Sequence, residues 1–293
     1  MTNAERTVEQ LRQAALAHAR AEEYDEAIAI YDDALALVDE DEARELITIN
    51  KADAMIASGR SGPEVQSLPA ILMRRRSPRH TFLAGYALMF LHRRESNIRR
   101  AIVFGETALR AAEEAEEAYW QFAALNDLGI CYEIDSQFEK AIDCHERATQ
   151  VTSSMSDEDT RTFSETITLQ NLGYTKLLVG ETTDGLDMIH RAIERIEVPS
   201  SRSDSYIDLC YGYLELGNYE KALQYGQVGL ECATDARQIR NAHYLLGEAA
   251  YKLGDVEAAE YHFDELTRFY PQFRNLKKLL FALDLRSMVN LRL

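Results

Sequence analysis

Residues 125–148, LNDLGICYEIDSQFEKAIDCHERA, place Leu125, Leu128, Gly129 and Tyr132 on one stripe and Phe138, Ala141, Ile142 and Ala148 on another, with a polar turn between them. Apolar residues recurring at spacings of three and four predict two short amphipathic helices. Neither is long enough to bury a core by itself. The same pattern returns in LQNLGYTKLLVGETTDGLDMIHRA (169–192), YIDLCYGYLELGNYEKALQYGQVG (206–229) and HYLLGEAAYKLGDVEAAEYHFDEL (243–266). Self-similarity at a period of this size predicts helix-turn-helix units that stack, each pair burying the face of the next.

The repeated residues resemble the tetratricopeptide repeat, a unit of about 34 residues with bulky and small residues at set positions. The unit starting at 122 matches through Leu125, Leu128, Gly129, Tyr132, Ala141, His145 and Ala148. The unit starting at 240 matches through His243, Leu246, Gly247, Ala250, Ala259, Phe263, Leu266 and Pro271. Looser matches start near Val8 (Leu11, Ala14, Ala15, His18, Ala27, Tyr31, Ala34), near Thr166, and near Ser203 (Tyr206, Leu209, Cys210, Tyr213, Ala222). The resemblance implies an all-α, right-handed α-solenoid of about seven units, forming a single superhelix over 1–293. The units fall approximately at 8–41, 42–77, 80–115, 122–155, 166–199, 203–236 and 240–273, with a closing helix at 274–291. The second is degenerate, its back half interrupted by SGRSGPE and Pro69.

In this family the first helix of each unit lines an inner wall. That assignment makes Asn126, Asp127, Ile130, Glu133, Gln170, Asn171, Tyr174, Ile207, Asp208, Tyr211, Asn241, Tyr244 and Glu248 the candidate peptide-binding groove. Amides pair with a peptide backbone, and tyrosines give broad contact at low entropy cost. A family use that grips C-terminal carboxylates with Lys, Arg and Asn is disfavoured, because the inner positions here are acidic. The implied partner is a protein or peptide that is neutral or basic, in keeping with a net charge of −17.

The charge is uneven. Residues 74–100 hold Arg74, Arg75, Arg76, Arg79, Arg93, Arg94, Arg99 and Arg100 against one Glu, a net of +7 that leaves −24 on the rest. Arg forks suit phosphate or carboxylate, but overall acidity opposes nonspecific nucleic-acid binding. An internal or subunit-to-subunit role is the expected reading, with an RNA- or phosphate-binding adaptor as a lesser alternative. The segment after Pro271 places Leu276, Leu280, Phe281, Leu285 and Met288 on apolar faces, so homodimerisation through a C-terminal helix is a second expectation.

Composition adds exclusions. With 46% apolar residues, five Pro and fourteen Gly, the chain favours helix and a continuous interior. No run of about eighteen apolar residues and no secretory N-terminus appear, implying a cytoplasmic protein away from membranes. Cys131, Cys144, Cys210 and Cys232 lack metal or redox spacing and read as core thiols. No nucleotide, nucleophile-elbow or zinc-protease motif is present, so no enzyme, cofactor or metal is expected. Three roles remain: a scaffold for partner proteins, a peptide-sensing module without a DNA-binding domain, and the Arg-centred adaptor.

Overall fold

The structure is a computed structural model that describes residues 3–269 and 271. It is all-α, with fourteen α-helices and no strand among the described residues. In order these are α1 (Asn3–Arg20), α2 (Tyr24–Leu37), α3 (Asp41–Ala57), α4 (Pro63–Arg74), α5 (Pro78–Arg94), α6 (Ile98–Glu114), α7 (Ala118–Ile134), α8 (Phe138–Thr152), α9 (Glu158–Leu178), α10 (Thr182–Arg195), α11 (Ser203–Glu215), α12 (Tyr219–Cys232), α13 (Ala236–Leu253) and α14 (Val256–Phe269). A 3₁₀ turn at Pro199–Arg202 precedes α11. The closing helix expected over 274–291, with its proposed dimer contacts, lies outside the described residues.

Local chemistry sets the helix starts. Ser77, Asp157 and Asp235 accept from the backbone N–H groups of His80, Thr160 and Gln238, capping α5, α9 and α13. Pro63 and Pro78 sit in the first turns of α4 and α5, where the missing N–H costs nothing.

One turn geometry closes every pair. Glu22, Gly59, Ser96, Ser136, Gly180, Gly217 and Gly254 all take positive φ, between 58° and 84°. The N–H of each following residue reaches back five residues to a helix carbonyl: Arg60 to Met55 at 2.7 Å, Asn97 to His92 at 2.8 Å, Gln137 to Tyr132 at 2.8 Å, Asp255 to Ala250 at 3.0 Å. This left-handed ending satisfies carbonyls that a helix terminus leaves open. The turn residue therefore gives all seven pairs a common register, including the second, which the sequence shows as degenerate.

Counting from the turns explains the packing. Eight residues before the turn stands a buried Leu in five pairs, Leu88, Leu128, Leu172, Leu209 and Leu246. Five residues after it stands Ala27, Ala101, Ala141, Gly185, Ala222 or Ala259, small enough for two helices to touch. In α9 and α10 the approach is closest: a Cβ added at Gly185 would meet the Gly173 carbonyl oxygen at 2.6 Å.

The second pair breaks the rule with charge. At those two places it carries Lys51 and Glu64, joined at 2.7 Å, and Lys51 also reaches Asp32 of α2 at 2.6 Å. Lys51 is buried, so an ion pair stands where five of the other repeats set Leu opposite Ala or Gly.

The helices gather into two compact units, residues 1–131 and 132–293. The first has its core around Tyr31, Ile47, Ile56, Leu68 and Leu88. The second has its core around Tyr174, Leu177, Ile189, Leu209, Tyr211 and Leu245.

Candidate functional site

The turn register also defines the face that the first helices share. In the N-terminal unit, the residues six before each turn are Leu16, Asp53, Phe90 and Ile130, and those ten before are Arg12, Ile49, Tyr86 and Asn126. Equal offsets on parallel first helices form rows, as positions of one period always do.

This face is held by polar pairs. The Tyr86 hydroxyl and the Arg93 guanidinium both donate to the Asp127 carboxylate, tying α5 to α7. Phe82 stacks on Trp120 beside them, centroids 4.9 Å apart. Burial, and then the Asp127 carboxylate, push the Tyr86 hydroxyl well up, so it remains a donor. Arg12 forks onto Glu9 at 2.7 and 2.8 Å and reaches the Asn50 Oδ1 at 3.3 Å. The Arg12 hydrogen bonds pull the Glu9 carboxyl down to about 2.

Asp53 differs from these. Its side chain is open to solvent on one side, and it forms no hydrogen bond or ion pair among the described residues. The protein around it nevertheless desolvates the carboxyl and pushes it up to about 6, a shift that solvent contact tempers. Tyr24, Tyr31 and Tyr86 all feel its charge. Asp53, flanked in its row by half-buried Leu16 and Phe90, is an acceptor set among aliphatic and aromatic surface.

The residues named from sequence divide sharply. Asn126, Ile130 and Gln170 keep accessible surface. Asp127 is buried in its Tyr86–Arg93 clasp. Glu133 is buried as well, its Oε1 accepting from the Thr175 hydroxyl and lying 3.3 Å from the His145 Nε2. In the C-terminal unit, Asn171, Tyr174, Ile207, Asp208, Tyr211, Asn241, Tyr244 and Glu248 are all less than a tenth exposed. Tyr174 and Tyr211 face each other with ring centroids 6.3 Å apart. Sequence reasoning passed over Asp53, Tyr86 and Phe90. Counting back from the turn residues Gly59 and Ser96 finds them.

The Arg-rich segment also divides. Arg74 and Arg76 approach Glu45 at 3.6 and 3.2 Å, Arg93 holds Asp127, and Arg94 caps α3 through the Ile56 and Ala57 carbonyls. The side chains of Arg75, Arg99 and Arg100 are exposed and make no hydrogen bond or ion pair among the described residues, while Arg79 shares the field of Glu9. Half of the positive block is thus spent inside the N-terminal unit.

Among the described residues, no group of three or more His, Cys, Asp or Glu side chains gathers as a metal ion requires. Nor, among them, is any helix long and apolar enough to cross a membrane. Two buried imidazoles, His243 and His262, meet at 2.9 Å between their Nδ1 atoms, an arrangement in which one ring donates and the other accepts.

No family model matches the sequence, and no curated protein matches it significantly. Solved structures do match. The apo form of RapI is 13% identical and superposes with a TM-score of 0.69 over 97% of this chain and 84% of its own. A Rap protein complexed with competence and sporulation factor is 16% identical, with a TM-score of 0.67 over 96% and 81%. A tetratricopeptide repeat protein from Parabacteroides merdae is 13% identical, with a TM-score of 0.61 over 94% and 98%. At such low identity the likeness speaks for architecture, and it agrees with the seven-fold turn register: the chain has an all-α fold of the tetratricopeptide solenoid type.

Proposed function

We propose that this chain is a non-enzymatic interaction scaffold that holds a neutral or basic peptide, or a helix, of a partner protein against the first-helix face of its N-terminal unit. The observation that carries this reading is Asp53: an exposed carboxylate without an internal partner, in the first-helix row of Leu16, Phe90 and Ile130. An exposed carboxylate with no internal counter-charge keeps its lone pairs available to a cation or N–H donor of a ligand. In the C-terminal unit, Gln170 is the accessible member of the proposed lining. The tyrosines and amides around it serve as the packed floor.

Affinity capture from lysate with the full chain tests this. A protein partner retained by the wild type and lost on Asp53→Asn and Phe90→Ala supports the scaffold. The same partner retained by both variants, or RNA alone retained and released by salt, overturns it. A peptide-sensing role is the second reading, favoured because one similar structure is a Rap protein complexed with competence and sporulation factor. For that role a short peptide should raise the melting temperature of the purified chain. A melt unmoved across a library of neutral and basic peptides sinks it.

A further inference from the structure

Away from the first-helix face, the N-terminal unit contains a cavity of about 290 Å³ between the start of α3 and the end of α4. Asp41, Arg44, Glu45 and Thr48 line it from α3, Ser67, Ile71 and Arg74 from α4, and Arg76 from the connection that follows. The size is that of one small molecule, at the low end of ligand pockets.

The lining of this cavity differs from the two helix pairs that follow. Glu45, Thr48 and Arg74 stand fourteen before, eleven before and fifteen after the turn residue Gly59. At the same offsets the third pair has Phe82, Gly85 and Ala111, and the fourth has Phe122, Leu125 and Val151. Those residues are all uncharged, with Phe82 and Phe122 both buried. The second pair carries charge there instead.

Both signs of charge are present and incompletely used. Glu45 is 5% exposed, and its Oε2 is held by the Arg76 Nε at 3.2 Å with the Arg74 Nη1 at 3.6 Å. Its Oε1 is buried with no hydrogen-bond partner. The Thr48 and Ser67 hydroxyls spend their protons on the Arg44 and Glu64 carbonyls, at 2.8 and 2.7 Å, and so turn acceptor lone pairs outward. An acceptor group of this kind suits an ammonium with its three N–H donors. Beside it, Arg74 and Arg76 keep guanidinium N–H groups beyond those facing Glu45, which suit a carboxylate. A simple anion would leave the Glu45 Oε1 unpaired and face two acids. A metal cation would face three arginines.

From this juxtaposition we infer that the cavity between α3 and α4 binds a free α-amino acid, its ammonium on Glu45, Thr48 and Ser67 and its carboxylate on Arg74 and Arg76. This site is separate from the peptide face and does not depend on it.

Calorimetric titration and thermal melts of the full chain with the free amino acids, their N-acetyl and α-amide derivatives, and inorganic phosphate test the inference. At least one free amino acid should saturate the protein and raise its melting temperature. Blocking either end should weaken binding about tenfold or more, as loss of a charge-assisted hydrogen bond does. Glu45→Gln and Arg76→Ala should each weaken it comparably with helicity unchanged. Thr48→Leu, which fills the cavity, should abolish it and remains a test if Glu45→Gln unfolds. The inference is overturned if no free amino acid binds, if the blocked forms bind equally well, or if phosphate binds and Glu45→Gln strengthens it.

Discussion

Ser136 closes the α7–α8 pair at φ +58°, in a region where a Cβ is crowded by the neighbouring carbonyl. Gly254 closes the α13–α14 pair at φ +83° with nothing within 4 Å of where a Cβ would stand. The two sites isolate backbone strain from packing. Ser136→Gly should raise stability by about 0.5–1 kcal/mol, and Gly254→Ala should lower it by about 1 kcal/mol. Both effects appear as a shifted urea midpoint at constant slope. The His243–His262 pair acts through protonation instead. Burial, and then His243, pull His262 down to about 4, below the ordinary value of 6.5. Below pH 6.5 the unfolded chain binds a proton that the folded chain refuses. Stability present at pH 7 is therefore lost progressively between pH 6.5 and 4, by on the order of 3 kcal/mol. His262→Gln should flatten that part of the stability–pH curve, and an unchanged curve would assign the acid loss elsewhere.

The helix pair is the element at which sequence and structure agree most, and the reason is steric. Leu128, Gly129 and Ala141 are legible because a close crossing admits few residue types, so their spacing survives. Gly185 shows the limit: with the Gly173 oxygen 2.6 Å from any added Cβ, Gly185→Ala should cost about 1–3 kcal/mol by parting α9 from α10. The second pair was obscure for the opposite reason. Lys51 and Glu64 replace Leu and Ala by a charge pair, and apolar periodicity does not register an ion pair. Turn chemistry was equally hidden where Ser96 and Ser136 occupy the position that Gly59 and Gly180 mark openly. The pair makes a sharp prediction. Lys51→Leu alone strands Glu64 and Asp32 and should destabilise by about 1–3 kcal/mol, discounted because Asp32 is largely exposed. Lys51→Leu with Glu64→Ala restores the arrangement of the other repeats and should recover most of that loss. A double variant no better than the single would show that Glu64 gains nothing from Lys51.

On the scale of the whole molecule, the binding face was legible as a face but not as a surface. Tyr174 and Tyr211 stand at the same offset from their turns as Asp53 and Phe90 from theirs, yet the first two are packed and the last two retain surface. Burial depends on neighbouring repeats, which one repeat's spacing does not encode. Charge acts at two ranges here, and the ranges separate in kinetics. The net −17 attracts a cationic peptide from a distance, through a field screened beyond about 8–10 Å at physiological salt. Asp53 acts only after contact. For a basic peptide that binds this face, raising salt should slow association while changing dissociation little. Asp53→Asn removes one charge of many, so it should leave association nearly unchanged and speed dissociation. The surrounding protein pushes the carboxyl up towards about 6, so dissociation from the wild type should also quicken as pH falls from 7 to 5, and that dependence should vanish in Asp53→Asn. The same variant should stabilise the empty chain at pH 7 by about 1 kcal/mol after discounting for solvent contact, with the gain fading below pH 4. Loss of peptide affinity alongside a gain in stability is the signature of a residue held charged for a ligand, and a variant that lost both would mark Asp53 as structural.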